Sequence, residues 1–294
     1  MPAPSADAPI GVFDSGVGGL TVLAALRERL PSQHFLYLGD TARLPYGTKS
    51  GESVVRYALQ AADALVARGI AALVVACNTA ASVALPAIRA RYPGLPVIGV
   101  VEPGAEAACT ATRREHVAVI ATEGTIRGGA YQRAIAQRRP MVQVETVSCA
   151  LFVALAEEGW TGGAVAEAVA HRYLDPLFAR VDARQRPDVL VLGCTHFPLL
   201  REPIRTVVGP DVQIVDSAAT TAAAVQFALQ RPAAGGTAGA PGVAGVTGAA
   251  GADVDSAPGS MRFLATEGVA RFARVGAAFL GIALAPDRVE LVDL

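Results

Sequence analysis

Two cysteines each follow a run of apolar, β-branched residues, and small polar residues come directly after each of them. Cys77 follows the run 71–76, and Cys194 follows the run 189–193. Each run predicts a buried strand, and an alanine-rich helical segment follows the first. A thiol at the carboxyl end of such a strand lies where α/β folds bind their ligands. The N-terminus of the next helix would favour the thiolate and lower the pKa of the thiol.

Three kinds of chemistry could use the two thiols together with His196, which lies two positions after Cys194. A zinc site is one, but tetrahedral sites usually show paired short spacings, and Cys77 has no nearby partner. A redox disulfide is another, but it more often shows a C-x-x-C spacing. The third is acid–base catalysis, in which one thiolate removes a proton and a thiol returns one from the opposite face, inverting a stereocentre. The sequence favours this third chemistry.

Pyridoxal phosphate is the usual means of acidifying the α-proton of an amino acid, and it needs a lysine. Lys49 is the only lysine in the chain, and its loop carries no other cofactor signature. The glycine-rich turn 16–19 lacks both the dinucleotide fingerprint and the lysine of a P-loop. We therefore expect no cofactor. The turn fits better as a place where backbone N–H groups and Asp14 contact a small ligand, with helix capping by Asp14 and Ser15 as the alternative.

Predicted strands and helices alternate along the chain, which is typical of α/β proteins. The predicted strands of the first half are the runs 10–14, 35–40, 71–76 and 95–101. We expect the last of these to end at Glu102–Gly104. The pattern then restarts with runs at 117–121, 142–147, 189–193 and 212–216. Landmarks that recur in the same order predict two pseudo-symmetric α/β domains with mostly parallel sheets and a shared interdomain cleft.

We expect the first domain to consist of residues 1–100 and 218–294, and the second of residues 101–217. Residues 232–259 are mostly Ala, Gly, Pro, Thr and Val, with no charged residue before Asp253 and no aromatic residue. Such a segment can bury too little apolar surface to order itself, so its composition predicts a disordered insertion. The whole chain has 294 residues and is 52% hydrophobic, which is enough for a large core.

Charge and cysteine content exclude several classes of protein. The net charge of −1 gives no reason to expect nucleic acid or a membrane surface as a partner. Four cysteines are too few for a disulfide framework in a chain of this length. The first residues lack a signal-peptide pattern, and polar residues interrupt the most apolar window, 69–88. We expect a cytoplasmic protein that acts on a small molecule.

Five segments of the chain resemble the motifs of glutamate racemases, in the aspartate/glutamate racemase family. They are GVFDSGVGGLTV from Gly11, LGDTARLPYG from Leu38, VVACNTAAS from Val74, VAVIATEGTI from Val117 and VLGCTHFPLL from Val191. The resemblance implies a cofactor-independent 1,1-proton transfer that interconverts L- and D-glutamate. It also implies a homodimer whose product, D-glutamate, supplies peptidoglycan synthesis and therefore cell wall biogenesis and cell shape.

The resemblance implies roles for single residues as well. Cys77 would act on D-glutamate with help from Asp14, and Cys194 would act on L-glutamate with help from His196. The residues implied in substrate binding are Asp14 and Ser15 for the α-amino group, Asn78, Thr79 and Thr195 for the α-carboxylate, Tyr46 and Gly47 for the side-chain carboxylate, and Thr122 and His196 along the cleft.

Several assignments stay open at this point. Glu157 resembles a further catalytic acid of the family, but the adjacent Glu158 competes for the same role. Two thiols do not fix the length of the substrate, so a racemase for aspartate or another acidic amino acid is the alternative. A third possibility is a protein that binds an acidic amino acid without turning it over. We expect Cys109 and Cys149 to be structural, and the remaining histidines to lie on the surface: His34, His116 and His171.

Overall fold

The computed structural model describes residues 8–230 and 259–294, in which β-strands alternate with α-helices. The strands are β1 (Ile10–Asp14), β2 (Phe35–Gly39), β3 (Ala72–Val75), β4 (Val97–Gly99), β5 (His116–Ala121), β6 (Gln143–Ser148), β7 (Val189–Gly193), β8 (Gln213–Asp216), β9 (Met261–Ala265) and β10 (Val289–Leu291). The helices are α1 (Leu20–Arg29), α2 (Gly51–Val66), α3 (Asn78–Val83), α4 (Leu85–Arg91), α5 (Val101–Ala111), α6 (Glu123–Gly128), α7 (Ala130–Arg138), α8 (Ala150–Glu157), α9 (Gly163–Phe178), α10 (Arg201–Val208), α11 (Ser217–Gln230) and α12 (Val269–Leu280).

The strands form two sheets, and all of the described strand pairs are parallel. The six-stranded sheet has the order β10-β9-β2-β1-β3-β4, and the four-stranded sheet has the order β6-β5-β7-β8. Strands β1, β2, β3, β5 and β7 are buried along their whole length, which explains why each is a continuous apolar run rather than an alternating one. The predicted α/β class with parallel sheets is confirmed.

The two sheets share one arrangement of four strands. In the first sheet β1 lies between β2 and β3, and β4 lies next to β3; in the second sheet β5 lies between β6 and β7, and β8 lies next to β7. The recurrence predicted from the sequence is therefore present in the topology. Because neighbouring strands are parallel, the turns after β1, β3, β5 and β7 lie at the carboxyl edges of the sheets, where ligands bind in such folds.

The predicted end of the fourth strand is wrong. Strand β4 has only three residues, and Glu102–Gly104 lies in the first turn of α5. Pro103 is compatible with that turn because the first N–H groups of a helix need no partner within it. Gly104 belongs there because a Cβ atom would lie 3.2 Å from the Tyr131 hydroxyl, so the glycine lets α5 pack closely against α7.

The predicted disordered insertion, 232–259, lies outside the described residues except for Gly259. The N–H of Gly259 donates to the carbonyl of Pro31 at 2.7 Å, next to the start of β9. Within the described residues, the helices are all too short or too polar to cross a membrane.

Candidate active site

Cys77 lies between β3 and α3, directly before Asn78, and it caps the N-terminus of that helix. Its Sγ atom accepts the N–H of Ala80 at 3.5 Å and donates to the Ser15 hydroxyl at 3.5 Å. The side chain is buried. Ser15 comes from the turn after β1, the strand that pairs with β3. Two neighbouring strand ends therefore bring the thiol and this hydroxyl together.

Burial and then the Asp14 carboxylate raise the pKa of Cys77 to about 12, although the N–H of Ala80 lowers it. The expectation that the helix end would bring this pKa down is wrong, because the buried thiolate loses more hydration than the helix N-terminus compensates. A smaller part of the rise comes from the charge of Cys194. We call the side chains around the two thiols the cluster: Asp14, Ser15, Cys77, Glu157, Cys194, Thr195 and His196.

Asp14 is the last residue of β1 and is buried beside Cys77. Its Oδ1 atom accepts the N–H of Gly16 at 2.9 Å, while Oδ2 is buried and has no partner among the described residues. Burial raises the pKa of Asp14, although the charge of His196 opposes the rise. A Cβ atom at position 19 would lie 2.5 Å from the Asp14 Cβ, so Gly19 is required for this packing.

Cys194 follows β7, as Cys77 follows β3, and its side chain is also buried. The Cys194 Sγ atom lies 3.8 Å from Nδ1 of His196. The opposite ring nitrogen, Nε2, lies 3.1 Å from Oε1 of Glu157. Burial lowers the pKa of His196, but the contacts with Cys194 and Glu157 outweigh burial and raise it to about 10. The rise depends on negative charge at Cys194 as well as at Glu157, so the protonated form of His196 would stabilise a thiolate at Cys194.

Glu157 and Glu158 differ in their surroundings. Glu157 is the last residue of α8, and its side chain is 14% exposed between His196 and Arg271. Contact with His196, and then with Arg271, lowers the pKa of Glu157. Glu158 is exposed. Trp160, the only tryptophan in the chain, follows close behind, and its side chain is 58% exposed.

The polar residues after Cys77 face residues from the part of the chain that carries the four-stranded sheet. The Tyr131 hydroxyl donates to Oδ1 of Asn78 at 2.8 Å, and the Nδ2 atom of Asn78 is buried with no partner in the described part of the chain. The Thr79 hydroxyl lies 2.9 Å from the Thr122 hydroxyl and 3.1 Å from the Thr125 hydroxyl. The amide of Asn78 is thus oriented with a free donor, which is what a bound carboxylate needs.

Thr195 lies in the same cluster as Cys194. Its hydroxyl is 3.4 Å from Nδ1 of His196, and its carbonyl accepts the hydroxyl of Thr21 at 3.0 Å. A Cβ atom at position 18 would lie 2.3 Å from the Thr195 hydroxyl, so Gly18 lets the turn after β1 approach the turn after β7. The glycine-rich turn therefore serves close packing between the two halves.

Tyr46 and Gly47 lie in a short 3-10 helix (Tyr46–Thr48) next to the same cluster. The Tyr46 hydroxyl donates to the carboxylate of Asp40, which also accepts from Arg43 at 2.6 Å. A Cβ atom at position 47 would lie 2.8 Å from the Cβ of Thr122, so Gly47 allows this short helix to contact the turn after β5. The Tyr46 hydroxyl is therefore already engaged by Asp40.

Sequence reasoning missed three residues of this region. Asp40 follows β2 at the same sheet edge as Asp14, so the same strand-end argument could have identified it. Tyr131 lies on α7 and Arg271 on α12. The sequence of neither helix indicates a functional residue, because the contacts of Tyr131 and Arg271 form only when the helices pack against distant parts of the chain.

Outside the cluster, one prediction is wrong. His116 is buried rather than on the surface, because it begins the buried strand β5 and its Nε2 lies 2.7 Å from Oε1 of Glu145. Cys109 and Cys149 are buried and unpaired, as expected. Across the described ranges, no three His, Cys, Asp or Glu side chains are grouped as metal ligands.

The fold and this cluster agree with the comparison to known proteins. The sequence model of the Asp/Glu/hydantoin racemase family matches residues 20–225. The chain therefore belongs to this family of isomerases.

Within the family, the chain is similar to glutamate racemases. It is 47% identical to the glutamate racemase of Koribacter versatilis over 97% of both chains, and 47% identical to that of Geobacter metallireducens over 92% of both chains. Its structure resembles that of glutamate racemase from Francisella tularensis in complex with D-glutamate, with a TM-score of 0.82, 31% identity and 98% of each chain covered.

Proposed function

We propose that this protein interconverts L- and D-glutamate by a cofactor-independent proton transfer between two thiols. The observation that carries this proposal is the placement of Cys77 and Cys194. They follow the equivalent strands β3 and β7 and are both buried, and the turn after β1 contacts both strand ends, Cys77 through Ser15 and Thr195 through Gly18. The similarity to glutamate racemases supports glutamate as the substrate. The Francisella tularensis enzyme, which binds D-glutamate, supports a small-molecule ligand.

In the proposed reaction, D-glutamate binds with its α-hydrogen towards Cys77. The Cys77 thiolate takes the proton and becomes a thiol, leaving a carbanion at the α-carbon. The Cys194 thiol then donates its proton to the opposite face, which forms L-glutamate and leaves a Cys194 thiolate. The reverse reaction uses the same groups in exchanged protonation states. His196, held by Glu157, stabilises the Cys194 thiolate.

Substrate binding would also prepare Cys77. Burial and the negative charge of Asp14 together hold the pKa of this thiol high. We propose that the α-ammonium group of glutamate binds between Asp14 and Ser15. A positive charge at this position neutralises Asp14 and favours the thiolate of Cys77 directly. The base would therefore form only when the substrate is present.

The other polar groups would orient the substrate. We propose that the α-carboxylate accepts hydrogen bonds from the free Nδ2 of Asn78 and from the hydroxyls of Thr79 and Thr195. The side-chain carboxylate would bind to backbone N–H groups at Tyr46 and Gly47, because the Tyr46 hydroxyl already donates to Asp40. Thr122 would line the cleft between these two places.

The test is hydrogen exchange in D₂O, followed by NMR and by chiral analysis of the product. We expect the purified protein to exchange the α-proton of glutamate and to produce the opposite enantiomer. Exchange with aspartate at an equal or higher rate would instead support the aspartate alternative. Binding of glutamate without exchange would support a non-catalytic protein.

Substitutions connect the activity to the two thiols. We expect Cys77→Ala and Cys194→Ala each to abolish racemisation while the circular dichroism spectrum stays unchanged. Cys109→Ala is the matched control, because Cys109 is also a buried free cysteine and lies outside the cluster. Full racemase activity in either of the first two variants would reject the two-thiol mechanism.

We further propose that the protein is a cytoplasmic homodimer that supplies D-glutamate for peptidoglycan. The two sheets would belong to two domains, residues 1–100 with 218–294 and residues 101–217. Growth of a D-glutamate auxotroph carrying this gene, without added D-glutamate, tests the cellular role. Light scattering at several concentrations tests the dimer, and a single monomeric mass at all of them would reject it.

A further inference from the structure

Helix α12 contacts both His196 and Glu157, the two residues that lie next to Cys194. Arg271, near the start of α12, donates to Oε2 of Glu157 at 3.0 Å. Phe279, near its end, packs its ring edge-on against His196, with 5.1 Å between the ring centroids and 76° between the planes. The same helix is anchored on the first sheet, where the Phe272 ring lies 5.9 Å from that of Tyr37 on β2.

The contact from Arg271 uses the second oxygen of Glu157. Oε1 of Glu157 faces His196, and Oε2 accepts from Arg271, so both oxygens are held. A carboxylate fixed at both oxygens cannot rotate about its terminal bond without losing one contact. The orientation of His196, and through it the environment of Cys194, therefore depends on Arg271, which lies on a helix that packs against the six-stranded sheet.

We propose that Arg271 is a positioning residue for the acid–base group on the Cys194 side. It holds Glu157 in the orientation that His196 requires. Arg271 is on α12, which packs against the first sheet, and Glu157 is on α8, between strands β6 and β7 of the second sheet. This contact therefore forms only when the parts of the chain that carry the two sheets are docked against each other. The Cys194 side is thus ready for proton transfer only in the docked arrangement. This inference rests on the proposed racemase function.

A merely structural role would have a different signature. The Arg271 side chain is 47% exposed, and an ion pair of this exposure contributes little to folding stability. If Arg271 only formed a surface ion pair, its removal would noticeably change neither the melting temperature nor kcat. If it positions Glu157, its removal lowers turnover while the melting temperature stays almost the same.

The experiment compares Arg271→Gln with Arg274→Gln in the full chain. Arg274 is an exposed residue on the same helix with no side-chain hydrogen bond or ion pair in the described part of the chain. We expect kcat to fall about fivefold in Arg271→Gln, with a melting temperature within about 2 °C of the wild type. Arg274→Gln should keep the wild-type kcat, and Arg271→Lys should recover part of the loss.

A double substitution provides the decisive comparison. In a Glu157→Gln background the Arg271→Gln substitution should have no further effect on kcat, because the group that Arg271 positions has changed. Two independent, multiplying losses would overturn the proposal, as would a wild-type kcat in Arg271→Gln or an equal loss in Arg274→Gln. A wild-type protein that does not racemise glutamate would instead reject the proposed function.

Discussion

The hydroxyl of Tyr131 should control how well the protein binds the α-carboxylate of its substrate. It donates to Oδ1 of Asn78, and both side chains are buried, with exposures of 1% and 3%. This hydrogen bond decides which end of the Asn78 amide faces the cleft. With the bond in place, Nδ2 is the free donor. Tyr131→Phe removes the bond and leaves the ring.

The magnitude follows from the burial of both partners. A buried acceptor left without a partner costs about 1–3 kcal/mol. Part of this cost reduces the free energy of unfolding, so we expect the melting temperature to fall by about 3 °C. The rest affects binding, because both amide orientations become accessible and only one donates to a carboxylate. A binding loss of about 1.4 kcal/mol corresponds to a tenfold rise in KM.

The assay is steady-state kinetics with each enantiomer of glutamate. We expect KM to rise about three- to tenfold in both directions in Tyr131→Phe, with a smaller change in kcat. Tyr173→Phe is the control, because the Tyr173 hydroxyl also makes a hydrogen bond, from the N–H of Leu151, but lies on α9 and contacts none of the proposed substrate-binding residues. A KM within twofold of the wild type in Tyr131→Phe would refute the argument that this hydroxyl orients Asn78.

Three further predictions concern the charged groups of the cluster. In D₂O, Cys77→Ala should still exchange the α-proton of L-glutamate for deuterium without producing D-glutamate, and Cys194→Ala should do the same with D-glutamate. NMR measures the exchange and chiral chromatography measures the product. Exchange of D-glutamate by Cys77→Ala, or of L-glutamate by Cys194→Ala, would contradict the assignment of each thiol to one face of the substrate. Asp14→Asn should raise the melting temperature at pH 7, because burial raises the pKa of Asp14 and its ionised form costs stability above that pKa, while kcat/KM falls about 10- to 100-fold for loss of a charged hydrogen bond. The raised pKa of His196 contributes stability that is complete below pH 6.5 and is lost as the pH rises towards 10, and the lowered pKa of Glu157 contributes stability that is lost as the pH falls below 4.5. Thermal unfolding from pH 4 to 10 should show this window, and a Glu157→Gln variant with the same alkaline slope would argue against the pair as its cause.

The repeated strand-end pattern made the fold predictable. A buried strand in a parallel sheet is a local apolar run, so the runs before Cys77 and Cys194 were visible in the sequence, and the topology confirms their equivalence. The error at Glu102–Gly104 has a local cause. Proline and glycine usually end regular structure, but here they lie in the first turn of α5, where a helix tolerates proline and where the close approach of Tyr131 favours glycine.

The candidate site was only partly predictable, because several contacts depend on helix packing. The choice between Glu157 and Glu158 depends on the helical phase of α8 against His196, which the sequence does not specify. Arg271 reaches the cluster only because β9 returns the chain to the first sheet. The pKa of Cys77 depends on burial, which outweighs the helix end that the sequence does show.

The single tryptophan gives this protein an internal optical probe. Trp160 lies three residues beyond Glu157, and its exposed indole should emit at long wavelength. A change in emission during a titration would report rearrangement at the end of α8 without any label. Because the two enantiomers have equal free energies, an active enzyme would convert either titrant to the racemate, and the fluorescence curve would measure affinity for that equilibrium mixture. Only a variant that lacks one of the thiols could give a dissociation constant for a single enantiomer.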